Sequence, residues 1–237
     1  MFRCMKQMFP NRKSARRQSK SAYKAGDAAA AAVIHVGVSL RRLRGRMGLR
    51  IEDIARRAGF TKGFLSKIEN EKSSPPIATL MRLADALGVD PSALLQSDSG
   101  RSAGDPNASV HVRADARQRI HNAGAGPGYM YWALAAGRAH KAMEPFVLTV
   151  HPKEVDRKKT FQHPGEEFIF VLSGRCDYRV GEDVFELNAG DSLYFDARRP
   201  HSPYPKGGPV TFIAIFCAPP RPARNRNENR PGKKGTR

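Results

Sequence analysis

Cysteine is scarce in this 237-residue chain: Cys4, Cys176 and Cys217 make an odd number and show no CxxC spacing. That argues against a disulfide framework and fits a reducing compartment, where each serves as a small apolar residue. Long apolar runs are lacking too, since nothing reaches the ~18 apolar residues of a membrane span. The segment AAAAAVIHVGV, Ala28 to Val38, is weakly apolar, lies far from the start and precedes no convincing cleavage site, so it does not read as a signal. The expectation is a soluble, cytoplasmic protein with no membrane partner. Negative charge is also in short supply, with 22 Asp+Glu against 41 Lys+Arg, a formal charge of +19. Such a balance favours contact with polyanions.

The excess is concentrated at the ends. Residues 1–36 hold eight basic groups and one acid, residues 218–237 hold seven and one, and the stretch 99–217 is nearly balanced at fifteen against thirteen. Both ends are polar, basic and poor in large apolar residues, so they are expected to be disordered tails. Between Gln96 and Val110 lies SDSGRSAGDPNAS, whose composition cannot bury a core and reads as a linker. Helical patterns precede it and strand patterns follow it.

On the helical side, VSLRRLRGRMG places Leu40, Leu43 and Met47 at helical spacing, with arginines on the other side. In IEDIARRAG, Ile51, Ile54, Ala55 and Ala58 share a face, and Gly59 suits a left-handed stop. Thr61 caps KGFLSKIEN, whose Phe64, Leu65 and Ile68 face inward. After Pro75 and Pro76, IATLMRLADALG turns Ile77, Leu80, Leu83 and Leu87 to one side, and DPSALLQ starts a fifth short helix at Pro91. Five short helices with a glycine between the second and third form a helix-turn-helix pattern.

From roughly Val38 to Gln96 the chain resembles the phage-repressor-like, xenobiotic-response-element (XRE) family of DNA-binding domains. The resemblance implies that the third helix enters the major groove of double-stranded operator DNA. It places Lys62, Gly63 and Lys67 on the base-facing surface beside the cap Thr61, and Arg50, Asn70 and Lys72 where groups hold the backbone. It also implies a homodimer, because one recognition helix reads only a few base pairs of a palindrome.

From Val110 onward, short strands such as MEPFVLTVHP and PVTFIAIFCA alternate with turn signals at Gly174, Gly181, Gly190 and Gly207-Gly208, the pattern of an all-β barrel or sandwich. Residues 110–217 resemble the cupin family. In its first motif, Glu167 is followed by FIFVLS and Gly174, His163 holds the place of the second histidine, and Phe161 stands where the first would be. In its second, Gly190 and His201 match within GDSLYFDARRPH. Three of four usual ligands remain. If the strand is regular, residues 161, 163 and 167 share one face and Glu166 points away.

The resulting expectation is a multidomain chain, α plus all-β: a tail over 1–36, a five-helix repressor-like domain over 37–97, a linker over 98–109, a cupin double-stranded β-helix (jelly roll) over 110–217, and a tail over 218–237. His163, Glu167 and His201 offer two imidazoles and a carboxylate, a donor set that suits Fe(II) and also accepts Zn, Mn or Ni. The same three residues also fit a metal-free, hydrogen-bonded polar pocket. Arg198, Arg199 and Lys206 flank His201 and would favour an anion. The leading functional expectation is a non-enzymatic transcriptional regulator whose barrel dimerises and senses a small-molecule effector. The rival is a mononuclear non-haem iron oxygenase resembling hydroxypropylphosphonate epoxidase, whose ligands follow the same HxxxE…H order.

Overall fold

The computed structural model describes residues 33–73, 75–95, 109–120, 128–138 and 141–218. Most of both expected tails and nearly all of the expected linker lie outside the described residues.

Five helices form the first unit: α1 (Val36–Arg46), α2 (Ile51–Ala58), α3 (Lys62–Glu69), α4 (Ile77–Leu87) and α5 (Pro91–Leu94). Their apolar faces close a core of Leu40, Ile54, Leu65, Ile68, Leu83, Leu87 and Leu94. Each such side chain contributes roughly 1.5–3 kcal/mol through burial. Gly37 lets α1 approach α3 closely, since a β-carbon there would stand 2.2 Å from the Ile68 carbonyl oxygen. The arginines of α1 do not all face water. Arg44 donates from Nε and Nη2 to the two carboxylate oxygens of Glu69, at 2.6 and 2.9 Å, and from Nη1 to the Leu49 carbonyl. Glu69 is buried, so this two-pronged pair clamps α1 to the end of α3.

The second unit is a β-sandwich. One sheet runs β1-β2-β3-β4-β10-β5-β8 and the other β7-β6-β9. The strands are β1 (Val33–Ile34), β2 (Gln118–Ile120), β3 (Tyr129–Ala133), β4 (Met143–Val150), β5 (Glu166–Ser173), β6 (Arg175–Val180), β7 (Asp183–Asn188), β8 (Ser192–Asp196), β9 (His201–Pro205) and β10 (Val210–Cys217). β10 sits between β4 and β5, antiparallel to both, and brings the fully buried Phe212 to the centre. Alternation along β3 turns Tyr129 and Tyr131 inward and leaves Trp132 half-buried on the other face.

Two features depart from the expected separation of the halves. Val33 and Ile34, at the end of the segment expected to be a tail, pair in parallel with Arg119 and Ile120, so the chain contributes a strand to the barrel before entering the helices. The helix α4 also buries residues on more than one side. Leu83, Ala84 and Leu87 enter the helical core, while Ile77, Leu80 and Met81 join the same apolar cluster as Tyr129, Phe146 and Phe216 of the barrel. A helix apolar on opposed faces is one packed between two layers.

Candidate DNA-reading face and metal centre

Thr61 caps α3 as expected, its Oγ1 accepting from the Phe64 N–H at 3.2 Å. At ~100° per residue, Lys62, Gly63, Ser66, Lys67 and Asn70 fall within one arc, opposite the buried Leu65 and Ile68. Lys62, Gly63, Lys67 and Asn70 are exposed, as are Arg50 and Lys72. Nothing lies within 4 Å of the position a β-carbon would take on Gly63, which makes that point of the surface a shallow gap. Three of these residues already have partners, Arg50 Nε lying 3.6 Å from Asp53 Oδ2. Lys62 Nζ is 2.6 Å from Glu52 Oε1 on α2, and Asn70 Nδ2 donates to the Ser66 carbonyl at 2.8 Å. Glu52 is held below the usual carboxylate range chiefly by the hydrogen bond from Lys62. The pairing was missed in the sequence, although Glu52 and Lys62 flank a turn whose geometry the capping residues set.

In the barrel, His163, Glu167 and His201 converge, with one ligating atom from each within 4.8 Å of the others. All three are buried. The route differs from simple strand alternation, because β5 begins only at Glu166. His163 lies before it, on a loop fixed by His163 N–H to Ala197 O and Ala197 N–H to Gly165 O, both at 3.0 Å. Gly165, at φ 98°, makes the bend that turns His163 back toward Glu167. His201 opens β9, and its backbone exchanges two hydrogen bonds with Phe161. Phe161, where the family's first histidine would stand, packs edge-on against Tyr129 at 5.5 Å between centroids.

The hydrogen bonds around the triad indicate what fits between its members. His201 Nδ1 faces the Arg199 carbonyl at 2.9 Å and His163 Nδ1 the Pro164 carbonyl at 3.3 Å. A carbonyl only accepts, so each Nδ1 is placed to donate, which turns Nε2 of each ring inward as the atom able to ligate. Both Nε2 atoms lie 3.3 Å from Glu167 Oε2, another acceptor. Three acceptors facing one point need a cation or extra protons between them, and the donor set with its carbonyl-oriented imidazoles fits a divalent metal. Burial pushes the Glu167 carboxyl up, but the adjoining His163 and His201 rings outweigh it and bring it to about 2, so it stays ionised. Burial, followed by the Glu167 charge, raises the Tyr131 and Tyr178 phenols well above their ordinary value, which keeps them neutral.

The space beside the triad is small. A cavity of about 20 Å³ is bounded by Tyr129, Tyr131, Phe161, Tyr178 and Phe216, and on the helical side by Ala78 of α4. That holds little more than one water molecule. The three cations that flank His201 in sequence each have an acidic partner. Arg198 pairs with Asp196, Arg199 with Asp183, and Lys206 with Asp177 and Glu186.

A helix-turn-helix whose third helix exposes one polar arc, joined to a β-sandwich with an inward polar triad, has the architecture of a two-domain DNA-binding regulator. Comparison with known proteins agrees. A helix-turn-helix model matches residues 40–94 and a cupin domain model residues 146–216. The chain is 43% identical over 54 residues to the uncharacterized HTH-type transcriptional regulator y4dJ of Sinorhizobium fredii, covering 23% of this chain and 70% of that protein. It is 23% identical over 176 residues to the HTH-type transcriptional regulator SutR of Escherichia coli, covering 74% of this chain and 89% of that one. The crystal structure of an HTH_3 family transcriptional regulator from Vibrio cholerae aligns with 79% of this chain and 97% of its own, at 24% identity and a TM-score of 0.55. Hydroxypropylphosphonic acid epoxidase from S. wedmorenis aligns with 78% of this chain and 98% of its own at 24% identity, with a TM-score of only 0.38, too loose to carry an argument. The chain belongs to the XRE-type helix-turn-helix family of transcriptional regulators and carries a C-terminal cupin domain.

Proposed function

We propose that this regulator is a cytoplasmic homodimer that reads a palindromic operator with α3 and senses a small molecule through the barrel, without turning it over. The observation that carries the reading is the single outward arc of Lys62, Gly63, Lys67 and Asn70 on a capped helix whose opposite side is buried. Lys62 and Lys67 would reach base edges, where a lysine can donate to O6 and N7 of guanine. Arg50, Thr61, Asn70 and Lys72 would hold the phosphate backbone and set the register. Before Lys62 can do so it must exchange Glu52 for the base, which makes Glu52 a local competitor with DNA.

In the barrel, His163, Glu167 and His201 would hold a divalent metal, which supplies a Lewis-acidic point for an oxygen of a ligand. The protein's own part is to orient both imidazoles through backbone carbonyls and to surround them with Phe161, Phe195 and Phe216. Sensing requires a coupling of only ~1–3 kcal/mol between ligand and DNA. A cavity of about 20 Å³ closed by Ala78 admits little more than a water molecule beside the triad, so an organic effector would act on the barrel from outside it.

The test is binding of the purified chain to a selected palindromic duplex and to random duplexes at physiological salt, with the dimer state measured alongside. Strong preference for one duplex supports the proposal, and equal affinity for all of them contradicts it. Substrate-dependent oxygen uptake by the Fe(II)-loaded protein would instead favour the oxygenase reading.

A further inference from the structure

The barrel cavity is too small for an organic effector, and a much larger space lies just outside it. A cleft of about 480 Å³ opens between the helical unit and the barrel rim. Its size is that of ordinary small-molecule sites. One wall is the end of α2 with Arg56 and Arg57, together with Arg82 and Asp85 of α4, and the other is Gln162 and Arg198, on either side of the segment that carries His163.

The lining is strongly cationic, four guanidinium groups against one carboxylate. They differ in how far they are already engaged. Arg56 shares Asp53 at 3.1 Å and Arg198 is bound to Asp196 at 2.9 Å, so both are partly neutralised. Arg82 donates to the Ala58 carbonyl at 2.7 Å and lies 4.3 Å over the Phe60 ring. Those neutral contacts fix its position and leave its charge uncompensated. Arg57 is exposed and has no acidic partner among the described residues. Arginines brought to one gap from two units repel each other, and a planar fork is the group best suited to a carboxylate or phosphate.

The geometry points to a binding site in this cleft for a small organic oxyanion, a carboxylate or a phosphate, held by Arg57 and Arg82 from the helical unit with Gln162 facing them from the rim. Such a ligand touches both units, so it stabilises their docked arrangement over any other and acts only through that difference in affinity. It rests against the outer side of the loop that presents His163 to Glu167, which joins the triad to the DNA-binding unit. The inference rests on the sensor reading above for its biological use, and on the cleft alone for its chemistry.

The experiment is calorimetric titration of the full chain with inorganic phosphate, with succinate and with neutral glycerol, at fixed physiological ionic strength. Arg57→Glu is the main variant, because Arg57 supports no described contact. Arg82→Gln is the second, and Arg113→Ala, an exposed arginine that does not line the cleft, is the control. The expected result is saturable binding of phosphate or succinate, none of glycerol, a loss of at least about tenfold in Arg57→Glu and Arg82→Gln, and no change in Arg113→Ala. Which of the two anions binds separates a phosphate ligand from a carboxylate one. Failure of both to saturate, or equal binding by all four proteins, overturns the site. Operator affinity is read on the same samples. If the anion binds through Arg57 but leaves operator affinity unchanged, the cleft stands and the sensor reading fails.

Discussion

The helical unit and the barrel keep their polar chemistry in opposite places. Lys62 has a side chain 65% exposed and meets its partner Glu52 in water, whereas Glu167 and both its imidazoles are 3% exposed or less. A DNA-reading face must be accessible and can exchange partners at little cost, since exposed ion pairs contribute only ~0–1 kcal/mol. A buried triad has no such freedom, because an unpaired charge there is costly unless a cation or proton answers it. The first arrangement suits reversible recognition of a large partner. The second suits holding one small species tightly.

The comparison breaks most visibly in the cores. Replacing Phe212, fully buried at the centre of the barrel, by alanine should cost about 3–5 kcal/mol. Urea unfolding should show the loss. Because α4 shares the barrel's apolar cluster, the same variant should loosen the helical unit, seen as earlier hydrogen exchange along α4. Glu69, the buried charge of the helical unit among the described residues, comes next. Glu69→Ala leaves Arg44 without its fork and should destabilise by roughly 2–3 kcal/mol, while Glu69→Gln should recover part of that in thermal melts.

The barrel also contains a carboxylate that behaves oppositely to Glu167. Burial raises Glu144 to about 7 even though Lys141 sits 2.7 Å away. Its folded pKa is then above its unfolded value, so the folded state holds the extra proton between about 4.5 and 7. Stability should fall as pH rises through that window. Glu167, lowered to about 2, contributes stability that is present above about 4.5 and is lost as pH falls toward 2. Stability curves of the wild type and Glu144→Gln should therefore diverge from pH 4.5 to 7 and run parallel above it.

Much of this was legible in the chain and some was not, for physical reasons. Helical periodicity fixes which side of α3 is buried, and the resemblance to the repressor family set Lys62, Gly63 and Lys67 on the outward side. The resemblance to the cupin motifs brought out His163, Glu167 and His201, yet strand alternation does not place His163, where a loop and Gly165 do the work. What stayed hidden depends on long-range pairing. Nothing local marks Val33 and Ile34 as a strand, since their partners Arg119 and Ile120 come much later. Arg44 looked like one more solvated arginine, because Glu69 lies on another helix. The second apolar face of α4, which sets the two units in contact through Ile77, Leu80 and Met81, was not read from the sequence, where one face alone was assigned.

The smallest expected effects sharpen the comparison at the exposed face. Lys62→Ala should reduce discrimination between operator and random duplex by about 1–3 kcal/mol with little change in stability. Arg50→Ala and Lys72→Ala should weaken binding to every duplex alike and lower the salt slope by about one each. Fluorescence anisotropy across a salt series separates the two behaviours.

The most direct measurement sets the two regions side by side in one variant. Glu167→Gln keeps the size of the side chain and removes the charge that both imidazoles face. Metal content after loading, oxygen uptake with Fe(II), and operator affinity without effector are measured on it and on the wild type. The account predicts lower metal content, no substrate-dependent oxygen uptake by either protein, and operator affinity unchanged within about twofold, under about 0.5 kcal/mol. Catalytic oxygen uptake by the wild type that Glu167→Gln abolishes would contradict it.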